Sequence, residues 1–332
     1  MTPYHPLSNN ILGGTMLNNY LHYKAINWNV IEDELDNVVW ERATSLFWLD
    51  TRVPIENDRS KWANLQLQEQ EQLNRLLILL TNIATYQSNE LGEIIRDSAR
   101  SQQEIAIINN FQFTEMVHTK AYNRILSIFN QDIDSQKAFD WVDTNPQVRD
   151  YIEKIHMTYQ SADPLKKRFM AICVEGILNY TYLSYLFELW LDRNFLNLGS
   201  MLEMIVRNES LHCYYLNYKV NLLLKEASSK QVAQFKSWGM EIVDDFVVLA
   251  DQLIDTFYTV GSSKTVAINL VMQEANHILA GIGLNEIYAF NQENIAAINT
   301  QLDELRAHNL NNYNNKNTTN TEEVMNESDY VF

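Results

Sequence analysis

Apolar residues recur at helical spacing along almost the whole chain. In VIEDELDNVVWERATSLFW (30–48), Ile31, Leu35, Val38, Val39 and Leu46 fall on roughly one helix face. TRVPIENDRSKW (51–62) reads as a connector, because Pro54 and the Asn57–Asp58 pair resist helix. Helical spacing resumes over 66–97 and 101–131, then over 147–159, 164–194, 199–226, 229–259, 264–289 and 292–307. TNPQ (144–147) and DPLKK (163–167) look like helix starts, with Asn145 and Asp163 as N-caps and proline at the first helical position. Gly199 and GSS (261–263) punctuate the pattern. No stretch alternates as a strand does, and no fixed-period repeat occurs. The pattern predicts an all-α protein with one domain over 1–308.

Composition narrows the classes. Of 332 residues, 46% are hydrophobic, which fits a packed core, and the five prolines all precede residue 165, which leaves the rest free for long helices. The net charge of −17 excludes a nucleic-acid partner, whose phosphates need a basic surface. No apolar run approaches the length of a membrane span, and MTPYHPLSNN lacks the blocks of a signal peptide. Cys173 and Cys213 are the only cysteines, as expected of free thiols in a reducing cytoplasm. The end differs. NNYNNKNTTNTEEVMNESDYVF (311–332) is asparagine-rich and acidic, so 309–332 is expected to be a disordered, flexible tail. Its terminal DYVF regains an acid and two large apolar groups, as a docking peptide would, though a frayed terminus has the same composition.

Candidate chemistry lies in Glu-x-x-His, which puts two ligands on one helix face. The chain has EMVH (115–118), EKIH (153–156), ESLH (209–212) and EANH (274–277). In ferritin-like di-metal bundles two helices carry this motif and two others each add a carboxylate. EMVH and ESLH have apolar or aromatic neighbours that could bury them. EKIH follows charged residues and reads as a surface face, and EANH is left open by the pattern. Glu175, alone in FMAICVEGILNY, needs either a metal or a salt bridge to an arginine, because a bare buried charge costs several kcal/mol. Tyr122, one turn past His118, is on spacing alone an ordinary core tyrosine.

These residues have a family context. AINWN (25–29), SLFWLDTRVPIENDRSKW (45–62), FTEMVHTKAY (113–122), VEGILNY (174–180), RNESLHCYYLNYK (207–219) and the acidic tail occur in the order and spacing of a known family. The chain resembles the small, radical-generating β subunit of class I ribonucleotide reductase, most closely class Ib. The resemblance implies a ferritin-like helical bundle, a homodimer, and a ribonucleoside-diphosphate reductase β subunit active only with its large subunit. It implies metal ligands at Glu115, His118, Glu175, Glu209 and His212, and a dinuclear manganese or iron cofactor. It puts the radical tyrosine at Tyr122, the start of the transfer path at Trp48 and the relay tyrosine of the tail at Tyr313. It also implies docking of DYVF on the large subunit and activation by a flavodoxin-like protein.

Three positions depart from that family. The helix before EMVH should carry a sixth ligand, an aspartate, and Ala84 stands there. Residues 72–89 contain no acid that could slide in, and Glu90, six residues on, points to another face. Asn208 replaces an aspartate that supports a ligand histidine, and Asn179 replaces a phenylalanine of the radical pocket. The departures leave three readings within the family: a radical protein with a modified metal site, a site with one metal or none and an oxidant such as a modified Tyr122, or an impaired paralogue or engineered variant that still docks. Outside it stands a ferritin-like metal-binding oxidase or storage protein, which would not need Trp48, Tyr313 or DYVF.

Overall fold

The computed structural model describes residues 25–96, 98–130, 135–259 and 261–315, and every regular element among them is helical. Helix α1 (Glu34–Ser45) is capped by Asp33, whose carboxylate accepts from the Leu35 N–H. The stretch 51–62 is coiled more tightly than its connector reading suggests. Two 3-10 turns, Asp50–Arg52 and Ile55–Asp58, lead into the short helix α2 (Arg59–Ala63). Pro54 sits just before the second turn, where its missing N–H leaves no gap in a ladder.

The long elements follow: α3 (Leu67–Glu90), the single turn α4 (Glu93–Arg96) and α5 (Gln102–Phe129). Helix α6 (Ser135–Thr144) is an element that the spacing does not predict. Helices α7 (Pro146–Tyr159) and α8 (Pro164–Cys173) start as expected, with Asn145 and Asp163 accepting backbone N–H groups ahead of a first-turn proline. The single helix expected over 164–194 is broken by a π-helical turn, Val174–Leu178, before α9 (Asn179–Arg193). Then come α10 (Leu196–Glu226), α11 (Ser229–Phe257), α12 (Gly261–Gly281) and α13 (Ala296–Asn315). Gly199 lies inside α10 rather than between helices. A Cβ there would sit 2.2 Å from the Trp190 ring, so the glycine serves close packing. Helix α13 continues to Asn315, across the boundary that composition suggests at 308. Tyr313 is in its last turn, but its side chain, and the whole of 316–332 with DYVF, lie outside the described residues.

Helix α3 packs along α5 and α9, while α10 packs on α8 and α9 and α12 covers α9. The uncharged run in α3 is thereby enclosed: Leu73, Leu76, Leu77, Leu79 and Leu80 are fully buried. At about 1.5–3 kcal/mol for each large apolar side chain, such a helix has no room for an unpaired charge. Helices α5 and α8 are tied by the fully buried pair Arg168–Glu104 at 2.7 Å. The site lies within α3, α5, the π turn and α10.

Candidate metal centre

Glu115 and His118 share the inner face of α5, and Glu209 and His212 that of α10, three residues apart in each case. Glu175 comes from the π turn, whose wider coil shifts the register of the following helix and marks functional sites in many bundles. All five side chains are buried. His118 Nδ1 lies 3.1 Å from Glu209 Oε1 and 3.6 Å from Glu115 Oε2. His212 Nδ1 lies 3.3 Å from Glu115 Oε1, 3.6 Å from Glu175 Oε2 and 3.9 Å from Glu209 Oε2. Glu115 and Glu209 therefore divide their oxygens between the two imidazoles, whereas Glu175 faces His212 alone. One ligand atom each from Glu115, Glu175, Glu209 and His212 falls within 4.8 Å of the others.

A second layer of polar groups holds these side chains. Gln87 Nε2 donates to Glu175 Oε1 at 2.9 Å, and Gln87 Oε1 accepts from the Tyr159 hydroxyl at 2.8 Å. Asn179 Nδ2 reaches Glu175 Oε2 at 3.5 Å. Asn208 Oδ1 accepts from Trp48 Nε1 at 2.9 Å and lies 3.4 Å from His118 Nε2. If that nitrogen carries the His118 proton, Nδ1 turns a lone pair toward Glu209 and Glu115. Both oxygens of Glu115, Glu209 Oε2 and the Nδ1 atoms of His118 and His212 have no hydrogen-bond partner.

Electrostatics give the same picture of a centre short of positive charge. Burial, then the charges of Glu115 and Glu175, pushes the Glu209 carboxyl well above the usual carboxylate range. Burial would raise Glu175 as well, but the adjacent Glu209 carboxyl, the His212 imidazole and the Gln87 amide pull it down to about 2. Burial disfavours charge on His212, yet Glu115 and Glu175 outweigh it and hold the imidazole up at about 9. Three buried carboxylates, two of them with unpartnered oxygens, facing two unpartnered imidazole nitrogens, fit divalent cations in both charge and donor type.

Tyr122 is buried one turn beyond His118. Burial, then the charges of Glu209, Glu115 and Glu175, pushes its phenol far above the usual range, so the hydroxyl stays protonated. Trp48 is buried with its ring centroid 6.2 Å from that of His118. Ala84 is buried on α3, and Gln87 lies one turn further along the same face. Glu175 meets a histidine and two amides rather than an arginine. The other two Glu-x-x-His pairs are elsewhere. His156 is half exposed against Tyr86 and Glu90, which also accounts for Glu90. Glu274 pairs with Arg306 at 2.7 Å and His277 at 3.4 Å. The sequence reading missed Gln87 and Tyr159. A glutamine in an uncharged run, three residues from the expected ligand position, was the available signal.

Fold and site together define a ferritin-like helical bundle with a buried carboxylate–histidine centre. The sequence model of the family "Ribonucleotide reductase, small chain" matches residues 25–295, and the chain belongs to that family. It is the radical-generating small subunit of an oxidoreductase that works with a large subunit. Ribonucleoside-diphosphate reductase 2 subunit beta of Escherichia coli is 28% identical over 84% of this chain and 89% of its own length. Ribonucleoside-diphosphate reductase subunit beta nrdF1 of Mycobacterium tuberculosis is 31% identical over 78% of this chain and 80% of its own. A crystal structure of dimanganese(II) NrdF from Streptococcus sanguinis superposes with a TM-score of 0.80, at 29% identity over 85% of this chain and 99% of that one. These relatives do not favour the storage, oxidase or impaired-paralogue alternatives.

Proposed function

We propose that the chain supplies the oxidising hole for reduction of ribonucleoside diphosphates, with Glu115, His118, Glu175, Glu209 and His212 holding manganese or iron and Tyr122 as the residue oxidised. The observation that carries this reading is the convergence of those five residues, four of them with unpartnered donor atoms, next to a buried, neutral phenol. Bound there, the metal ions supply the oxidising power that removes one electron from a phenol.

The chain's own residues set the conditions. Glu115 and Glu209 neutralise charge at both positions, and Glu175 adds a third negative charge on the His212 side. The packing around Tyr122 excludes water, and the three carboxylates oppose formation of phenolate. The phenol therefore stays neutral until an electron is withdrawn from it. Asn208 fixes both the Trp48 indole and the His118 ring, so Trp48 is the exit residue for the hole. Tyr313 and the terminal DYVF belong to the hand-over to the large subunit.

A largely apolar cavity of about 300 Å³ is lined by Gly176 and Cys213, the neighbours of Glu175 and His212, and by Tyr180, Ile278 and Arg306. It suits entry of a small oxidant delivered by a flavodoxin-like protein. Phe47 and Phe113 stack at 6.1 Å on the exposed surface beside Met116, an apolar patch that a second copy of the chain would cover. No helix among the described residues is long and apolar enough to cross a membrane, in keeping with work in the cytoplasm.

The test is nucleotide reduction with the cognate large subunit. Metal-loaded wild type should form deoxyribonucleotide, and Tyr122→Phe should not while keeping its metal. A fully metallated wild type that supports no reduction overturns the reading.

A further inference from the structure

The two histidines are not equally provided for. Around His212 Nδ1 stand oxygens of three glutamates, Glu115, Glu175 and Glu209. Around His118 Nδ1 stand only two, from Glu209 and Glu115, and both are shared with the His212 side. The group of four ligand atoms within 4.8 Å of one another takes in His212 and leaves out His118.

Helix α3 is the element that could even the balance. Its face toward the centre carries Ala84, whose methyl offers no donor, and Gln87, one turn on. Gln87 is fully buried, and both ends of its amide are committed: Nε2 donates to Glu175 and Oε1 accepts from Tyr159. The amide cannot swing toward His118 without giving up its hydrogen bonds to Glu175 and Tyr159. It also strengthens the better side, by fixing Glu175 so that Oε1 is occupied and Oε2 faces His212. The amide of Gln87 is neutral, so it adds no negative charge to the His118 side.

We infer that the centre is built unequal: a first divalent cation is held by Glu115, Glu175, Glu209 and His212, and a second, bound by His118 with the shared carboxylates, is weaker because α3 gives it no ligand. The inference rests on the metal-centre reading above and specifies its order of loading. A lost ligand weakens binding at least as much as a lost outer partner, which costs about tenfold to a hundredfold in affinity. Divalent metal should therefore bind in two steps separated by about that factor.

The experiment is titration of the metal-free full chain with manganese(II), followed by equilibrium dialysis with metal analysis and by electron paramagnetic resonance. Wild type should take up one equivalent tightly with the spectrum of an isolated ion, then a second, weaker equivalent as the two ions couple. His118→Ala should remove only the weak step, and His212→Ala the tight one. Ala84→Asp should draw the weak step toward the strong one. Two equivalents bound with equal affinity by wild type, or loss of the tight step in His118→Ala, overturn the inference and leave the metal centre standing. No binding at all overturns the centre itself, and the inference with it.

Discussion

Trp48 Nε1 donates to Asn208 Oδ1 at 2.9 Å, across 160 positions of sequence, and the same oxygen lies 3.4 Å from His118 Nε2. A single neutral amide thus joins an indole to the His118 imidazole. The resemblance puts an aspartate there, and the amide keeps that group's acceptor while dropping its charge. Asn208→Ala should leave the buried indole N–H unsatisfied and destabilise the protein by about 1–3 kcal/mol in a denaturant titration. It should also lower turnover with the large subunit more than it lowers radical content. Equal loss of both would remove the special role of the Trp48 link.

Gln87 should matter to metal binding without touching the metal. Gln87→Leu deletes the donor to Glu175 and strands the Tyr159 hydroxyl. Outer partners of metal ligands are worth about 10–100-fold in affinity, and that loss is expected in the tight step of a manganese titration. Tyr159→Phe should give a smaller loss, since Glu175 keeps its own hydrogen bond. Wild-type affinity in Gln87→Leu would show that Glu175 needs no brace.

The buried pair Arg168–Glu104 is structural and lies outside the centre. Arg168 also donates to Ser98 and Pro164, so every guanidinium hydrogen is used. Arg168→Ala leaves Glu104 buried without its counter-charge and should cost about 3–5 kcal/mol in unfolding free energy. A cost below about 1 kcal/mol, the range of surface pairs, would contradict this account of the α5–α8 contact.

Glu188 gives the protein a pH dependence separate from the metal ligands. Burial pushes its carboxyl up to about 7, despite the hydrogen bond from Ser263 and the charge of Arg193. The folded state then binds this proton more tightly than the unfolded chain, where the group titrates near its ordinary 4.5. Its contribution is whole below the ordinary value and is lost as pH rises toward 7. Glu188→Gln should therefore gain stability relative to wild type between pH 5 and 7.5, read from denaturant midpoints. A difference that stays constant across that range would refute the assignment.

How much of this could be read from the chain alone depends on the range of the interactions. The long helices were legible because burial is written at a spacing of 3.6, and the starts at Asn145 and Asp163 because caps are local. The pairs Glu115–His118 and Glu209–His212 were legible for the same reason. The π turn at Glu175 was not, since nothing in VEGIL breaks the helical pattern and the extra coil belongs to packing between helices. Gln87 was not legible because its partners, Glu175 and Tyr159, lie 88 and 72 positions away in sequence. The assignment of Glu115 and Glu209 to both histidines is purely three-dimensional. It depends on which way each carboxylate turns, which spacing does not encode.

The central claim is that a tyrosine beside this centre carries the oxidising equivalent, and electron paramagnetic resonance on protein matured in its host tests it most directly. The account predicts a tyrosyl signal in wild type that vanishes in Tyr122→Phe while the metal content stays unchanged. The same signal persisting in Tyr122→Phe, with full activity alongside the large subunit, would contradict it.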